Sequence, residues 1–197
     1  SSTAADTAAI QDILVEDGKF VSIAPNLKAT LEAQGQDRAS VEVIDLGGKL
    51  VCPPFCDTHL HLDYVFTARK PGAVNESGTL FEGIQRWSET KADLTVDEIK
   101  ERAKIGIAKE MRHGVQFIRS HADVTDPNLT SLKALLELKE ELKDTVTLQI
   151  VSFPQEGMYS YEGPHGESGA DLVEEGLKMG ADCVGGIPHF EHCREFG

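Results

Sequence analysis

The stretch Leu50-Val51-Cys52-Pro53-Pro54-Phe55-Cys56-Asp57-Thr58-His59-Leu60-His61-Leu62-Asp63 is where the chain changes its grammar. Before it, short apolar runs are joined by turn residues. After it, strand-like and helix-like segments alternate. Residues 50–57 read as a strand running into a polar loop. Two imidazoles then follow at i and i+2. On an extended backbone those positions point to the same side, so His59 and His61 can converge on one metal ion. A bare His-x-His is a weak signal. Its place at a strand end, with Asp57 and Asp63 on either side, strengthens it.

Downstream, residues 80–89 and 95–113 read as helices. Ile99, Ala103, Ile107 and Met111 recur every four residues, Thr95 and Glu98 form a capping-box pattern, and Gly114 marks the stop. Ser77 or Thr79 suits the cap of the first of these helices. Residues 115–124 and 146–153 read as strands, 130–142 and 170–179 as helices, 159–169 as a loop, and 183–187 as a short buried strand. This alternation implies a parallel sheet with helices packed outside it, as a (β/α) barrel or an open doubly wound sheet. No Gly-x-Gly-x-x-Gly and no phosphate-loop pattern follows a strand, which disfavours nucleotide-binding versions.

Upstream, residues 10–25 hold two apolar runs around Asp17-Gly18, a hairpin signature. Residues 26–40 are polar and hold a loose helix at most. Residues 41–46 read as a further strand by their β-branched content, with Gly47-Gly48 turning it into Leu50-Val51. Residues 1–50 therefore read as a small β unit, and residues 51–197 as a series of βα units.

Of 197 residues, 19 are basic and 33 acidic, a formal net charge of −14. That balance disfavours nucleic acid and anionic membranes as partners. No run of about 18 apolar residues exists to span a bilayer. Residues 1–9 lack the basic start and apolar stretch of a secretory signal. The four cysteines form no Cys-x-x-Cys pair, which fits reduced thiols in a cytoplasmic protein. His189-Phe190-Glu191 and His165-Gly166-Glu167 match half of the small zinc deaminase signature. Its Pro-Cys-x-x-Cys half is absent, so that family is excluded.

Two histidines do not complete a catalytic metal site, which usually has three or more protein ligands. His121 and Asp123 close the second strand of the βα series. His189, Glu191 and His192 follow the fourth. In a barrel these strand ends face the active site. His121, Asp123 and His189 read more readily as groups that hydrogen-bond behind the ligands than as ligands themselves. Gln155 closes the third strand, and its amide can pair side-on with the edge of a cyclic amide.

Pro53-Pro54-Phe55 leading into His59-Leu60-His61-Leu62-Asp63 is the first of four motifs in order. The others are Ser77-Gly78-Thr79-Leu80-Phe81-Glu82-Gly83-Ile84, Phe153-Pro154-Gln155-Glu156-Gly157 and Ile187-Pro188-His189-Phe190-Glu191. Together they resemble the cytosine deaminase family of the amidohydrolase superfamily, over roughly residues 42–197. The resemblance implies a (β/α)8 TIM-type barrel with a small β-sandwich built from both chain ends. Residues 1–50 would be part of the sandwich and residues 51–197 the first four βα units. It implies one divalent metal, iron or zinc, held in part by His59 and His61. Gln155 would bind the pyrimidine amide edge, and Leu80 would line the pocket.

The implied reaction is hydrolytic deamination of cytosine or a related base to the keto product and ammonia. The absence of Lys from residues 181–193 favours one metal over a lysine-bridged pair, with Glu191 as the remaining candidate bridge. The family's catalytic residues follow the fourth strand, so the expectation is a fragment inactive by itself. The resemblance also suggests a homo-oligomer acting on a small heterocycle. Other readings are ring opening of a cyclic amide, removal of an N-alkyl group, or a non-catalytic half-barrel.

Overall fold

Asp17 and Gly18 both take positive φ, 49° and 73°, the geometry of a two-residue turn whose twist matches its flanking strands. They join β1 (Asp12–Glu16) to β2 (Lys19–Ala24) in an antiparallel hairpin, followed by α1 (Leu27–Ala33). The structure, a computed structural model, describes residues 10–35, 41–188 and 190–191. The chain divides after Cys52 into two units.

Residues 41–46 form no strand, contrary to the expectation from their β-branched content. A strand exists through its ladder, and nothing pairs with this segment among the described residues. Val43 and Ile44 stay exposed. The turn after it is present: the Gly47 amide donates to Asp45 Oδ1 at 2.8 Å.

The second unit is a four-stranded parallel sheet. Its strands are β3 (Phe55–Leu60), β4 (Val115–Asp123), β5 (Thr147–Phe153) and β6 (Cys183–Val184), side by side in chain order. A doubly wound sheet reverses direction at a switch point, whereas a barrel adds each strand beside the last. The observed order follows the barrel pattern.

Two strand boundaries differ from expectation. Pro53 and Pro54 have no N–H to give a ladder, so β3 begins at Phe55, whose amide donates to the Gly114 carbonyl at 2.8 Å. His59 thus lies inside the strand rather than after it. β6 has two residues instead of five, and Val184 is exposed because no strand covers it on its far side among the described residues.

Helices α2 (Leu80–Lys91), α3 (Val96–Arg112), α4 (Thr130–Glu141) and α5 (Gly169–Met179) pack on the sheet. The four-residue spacing of α3 buries Ile99, Ala103 and Ile107. They join Leu132, Leu135 and Leu138 of α4, Ile118 of β4 and Ile150 of β5 in one core. The capping box Thr95/Glu98 forms as the sequence predicts, and Ser168/Asp171 forms a second one on α5. No helix among the described residues is long and apolar enough to cross a membrane.

Candidate functional site

The register of β3 against β4 slips where the histidines lie. Asp57 and Leu60 pair with Ile118 and Ser120, so three steps of β3 run against two of β4. Such an extra residue re-aims the side chains beside it. Asp57 Oδ1 stabilises the bend by accepting the His59 amide at 2.9 Å. The result brings His59 Nε2 and His61 Nε2 to 3.3 Å.

The carbonyl of His121 lies 3.2 Å from His61 Nδ1. Burial, then the neighbouring His121 and His59, lower the His61 pKa to about 4. At neutral pH the ring is therefore uncharged. Its Nδ1–H donates to that carbonyl, which leaves the Nε2 lone pair facing His59. Two nitrogens bound at the usual ~2.0–2.1 Å in a tetrahedron stand about 3.3–3.4 Å apart, so the pair fits one divalent ion.

His121 stacks on His59, with ring centroids 4.2 Å apart, and meets Phe153 edge-on. Its buried Nδ1 has no hydrogen-bond partner. Burial, then His59, hold its pKa below the ordinary value. Gly185, just after β6, packs tightly on β5 next to His121. A Cβ there would sit 2.7 Å from Val151 and 2.8 Å from Phe153. Among the described residues no group of three or more His, Cys, Asp or Glu is placed to hold a metal. His189 and His192 lie outside the described residues, while His113 and His165 are exposed, as their surroundings in the sequence predict.

Gln155 follows β5 and is buried, yet its Oε1 has no hydrogen-bond partner. It lines a cavity of about 480 Å³ together with Tyr64, Leu80, Ile84, Trp87 and Thr90. Leu80 reaches that cavity as the first residue of α2. Thr79 caps the helix by accepting the Glu82 amide, and Glu82 in turn accepts the amides of Glu76 and Ser77. Asn75 braces the same turn through the Gly78 amide and the Thr79 carbonyl.

Two acidic candidates have other work. Asp123 is buried, and both its oxygens are taken by protein donors: Trp87 Nε1 at 2.7 Å, Lys91 Nζ at 3.0 Å, and the Thr125 amide and hydroxyl. Glu191 is not placed as a metal bridge. Its carboxylate accepts the amides of Met158, Tyr159 and Ser160 and anchors the loop after β5. Partial burial raises the Glu191 pKa, but these three amides outweigh it and hold the group below the usual carboxylate range. Its contribution is therefore present above the ordinary glutamate pKa and is lost as pH falls through the lower folded value. Glu191→Gln puts an NH₂ group among these donors. Hydrogen exchange at residues 158–160 is expected to rise about tenfold or more, while the amides of β4 and β5 keep their protection.

Sequence reasoning passed over Lys91, Trp87 and Thr125. Lys91 Nζ also binds Thr125 Oγ1 at 2.9 Å and pairs with Glu156. Burial pulls its pKa down, but Asp123 and Glu156 hold it above the ordinary value. The available signal is the spacing Leu80, Ile84, Trp87, Lys91, which puts this lysine on the stripe facing the sheet.

The sequence profile of the Amidohydrolase family matches residues 42–196. The chain is similar in structure to 5-methylcytosine deaminase from Klebsiella pneumoniae liganded with phosphonocytosine. That match has a TM-score of 0.76 and 42% identity, and it covers 95% of this chain and 42% of that one. In sequence it is 31% identical to N-isopropylammelide isopropyl amidohydrolase of Pseudomonas sp. strain ADP, over 90% of this chain and 42% of that protein. It is 28% identical to pterin deaminase of Rhizobium rhizogenes, over 75% of this chain and 32% of that protein. The chain thus spans less than half the length of these relatives. Its four parallel strands in barrel order form part of a TIM-type barrel, and the chain belongs to the amidohydrolase family.

Proposed function

We propose that the chain carries the metal-binding and base-recognising part of an aminohydrolase acting on cytosine or a closely related heterocycle. The observation that carries this reading is the convergence of His59 Nε2 and His61 Nε2 at 3.3 Å, with His61 stacked at 4.6 Å on Tyr64, which lines the same cavity as Gln155. Enzymes of this superfamily generally bind a divalent metal. Here His59 and His61 would hold it in part, as iron or zinc. When bound, such an ion supplies Lewis-acid chemistry that makes water nucleophilic near neutral pH.

The chain's own residues orient the base. The unpartnered Gln155 Oε1 accepts a ring N–H or amine proton, and its NH₂ donates to the neighbouring ring carbonyl. Leu80 packs on the ring face. Water adds at the amine-bearing carbon, the C–N bond breaks, and the products are the ring carbonyl compound and ammonia. We assign the β1–β2 hairpin unit to part of a small β-sandwich, since Phe20, Val21 and Ile23 are left exposed.

The test titrates 5-fluorocytosine into the zinc-loaded chain and follows the fluorine NMR signal. Binding is expected, weakened about tenfold by Gln155→Ala, the typical cost of one buried hydrogen bond. An unperturbed fluorine signal in the wild-type chain counts against the reading.

A second reading, hydrolysis of an N-alkyl bond, has support in the similarity to N-isopropylammelide isopropyl amidohydrolase. The two differ in product. Within a complete barrel, ammonia from cytosine supports deamination, and an alkylamine from an N-alkyl triazine supports the second.

A further inference from the structure

Gln155 has two connections that differ in kind. Its side-chain oxygen is buried without a partner, and its backbone amide is tied to a carboxylate on the neighbouring strand: Asp123 Oδ1 accepts the Gln155 N–H at 3.3 Å. The same oxygen accepts the amide and hydroxyl of Thr125, at 2.8 and 2.5 Å. The other oxygen, Oδ2, accepts the indole N–H of Trp87 and the ammonium of Lys91, both on α2. Asp123 itself is held from behind, because its amide donates to Asp63 Oδ2 at 2.9 Å. One buried carboxylate therefore joins the strand end that bears Gln155 to the helix that bears Leu80, and both residues line the cavity.

We propose that Asp123 is a positioning residue for the cavity. Through one oxygen it fixes where the Gln155 amide stands, and through the other it fixes the depth of α2 and hence of Leu80. This rests on the reading above, in which Gln155 meets the base. Lys91 supports the arrangement by spanning Asp123, Thr125 and Glu156, so that Gln155 lies between two residues clamped to the same ammonium. Asp123 touches no reacting atom in this role. It sets the separation between the hydrogen-bonding wall and the apolar wall, and therefore the ring width the cavity accepts.

The experiment uses the full chain labelled with ¹⁵N, comparing wild type with Asp123→Asn. Asparagine keeps one acceptor where aspartate has two, and it loses the charge. The Gln155 backbone and side-chain amide signals are expected to move, and exchange of the Gln155 amide to rise about tenfold. Exchange at Ser120 and Ile150, in the middle of the same strands, stays as in wild type. Unmoved Gln155 signals in a folded variant overturn the proposal, and so does an equal rise of exchange along all of β4 and β5.

Lys91→Gln is the second variant should Asp123→Asn not fold. It keeps a donor toward Asp123 and removes the charge. The Gln155 signals and the indole N–H of Trp87 are expected to move together. Movement of the indole alone overturns the coupling.

5-Fluorocytosine separates this proposal from the functional reading. If the probe leaves Gln155 untouched in wild type, that reading fails while the variant spectra still answer for Asp123. If the probe moves Gln155 and binds Asp123→Asn as tightly as wild type, the positioning role fails alone. The expected result is binding weakened about tenfold.

Discussion

Replacing His61 with alanine lowers the chain's affinity for zinc by about 100-fold, measured by competition with a chromogenic chelator. The magnitude follows from what His61 alone provides. Its Nδ1 is committed to the His121 carbonyl, so the ring is locked in one orientation and one tautomer. Its pKa of about 4 means that no proton competes with a metal at neutral pH. His59 alone is exposed and has no comparable lock on its ring. His121→Ala is the informative contrast. It removes a stacked ring and leaves the carbonyl that holds His61, so the affinity is expected to fall by less than tenfold. Equal losses in the two variants would show that His121 ligates, contrary to the assignment.

Lys91→Met destabilises the chain by about 3–5 kcal/mol, read as a fall in the urea midpoint at unchanged slope. The ammonium is nearly buried, and its carboxylate partners are 1% and 19% exposed. Methionine fills the volume of the stem but leaves Asp123 without its countercharge in a place water does not reach. The cost is therefore that of an orphaned buried charge, not of a lost surface pair. Lys100→Met is the control. Its partners Glu137 and Glu141 face solvent, where screening leaves such pairs with small effects. A Lys91→Met midpoint as close to wild type as the control's would mean that water reaches Asp123 in solution.

Local rules made most of the second unit legible. Helix α3 announced itself by its four-residue spacing, its capping box and its stop glycine, all of which act within a few residues. The hairpin was equally local, since Asp17-Gly18 selects its own turn. The misread segments each depended on a partner out of view. Residues 41–46 have strand-like composition but no ladder among the described residues, and β6 stops after two residues at the margin of the described sheet.

The same division runs through the site. His59 and His61 were visible because an i, i+2 spacing places both rings on one side. The role of Asp123 was not, because its partners come from α2, from Thr125 and from the segment after β5, 30 or more residues away in part. The chemistry of Glu191 suits a metal bridge, but chemistry alone does not show what the carboxylate meets. It is occupied by three amides of a loop that only the fold brings near.

The strand order of the sheet has a consequence for how the protein is made. In β3-β4-β5-β6, each new strand pairs with the one synthesised just before it. As the chain leaves the ribosome, every addition finds its docking edge already built and waiting. None of these four strands has to be inserted between two others. Loop closure at each step spans only one βα unit (two helices in the first case), which keeps the entropic cost of each step small. The order of translation and the order of assembly are then the same sequence of events, running from the histidine strand outward.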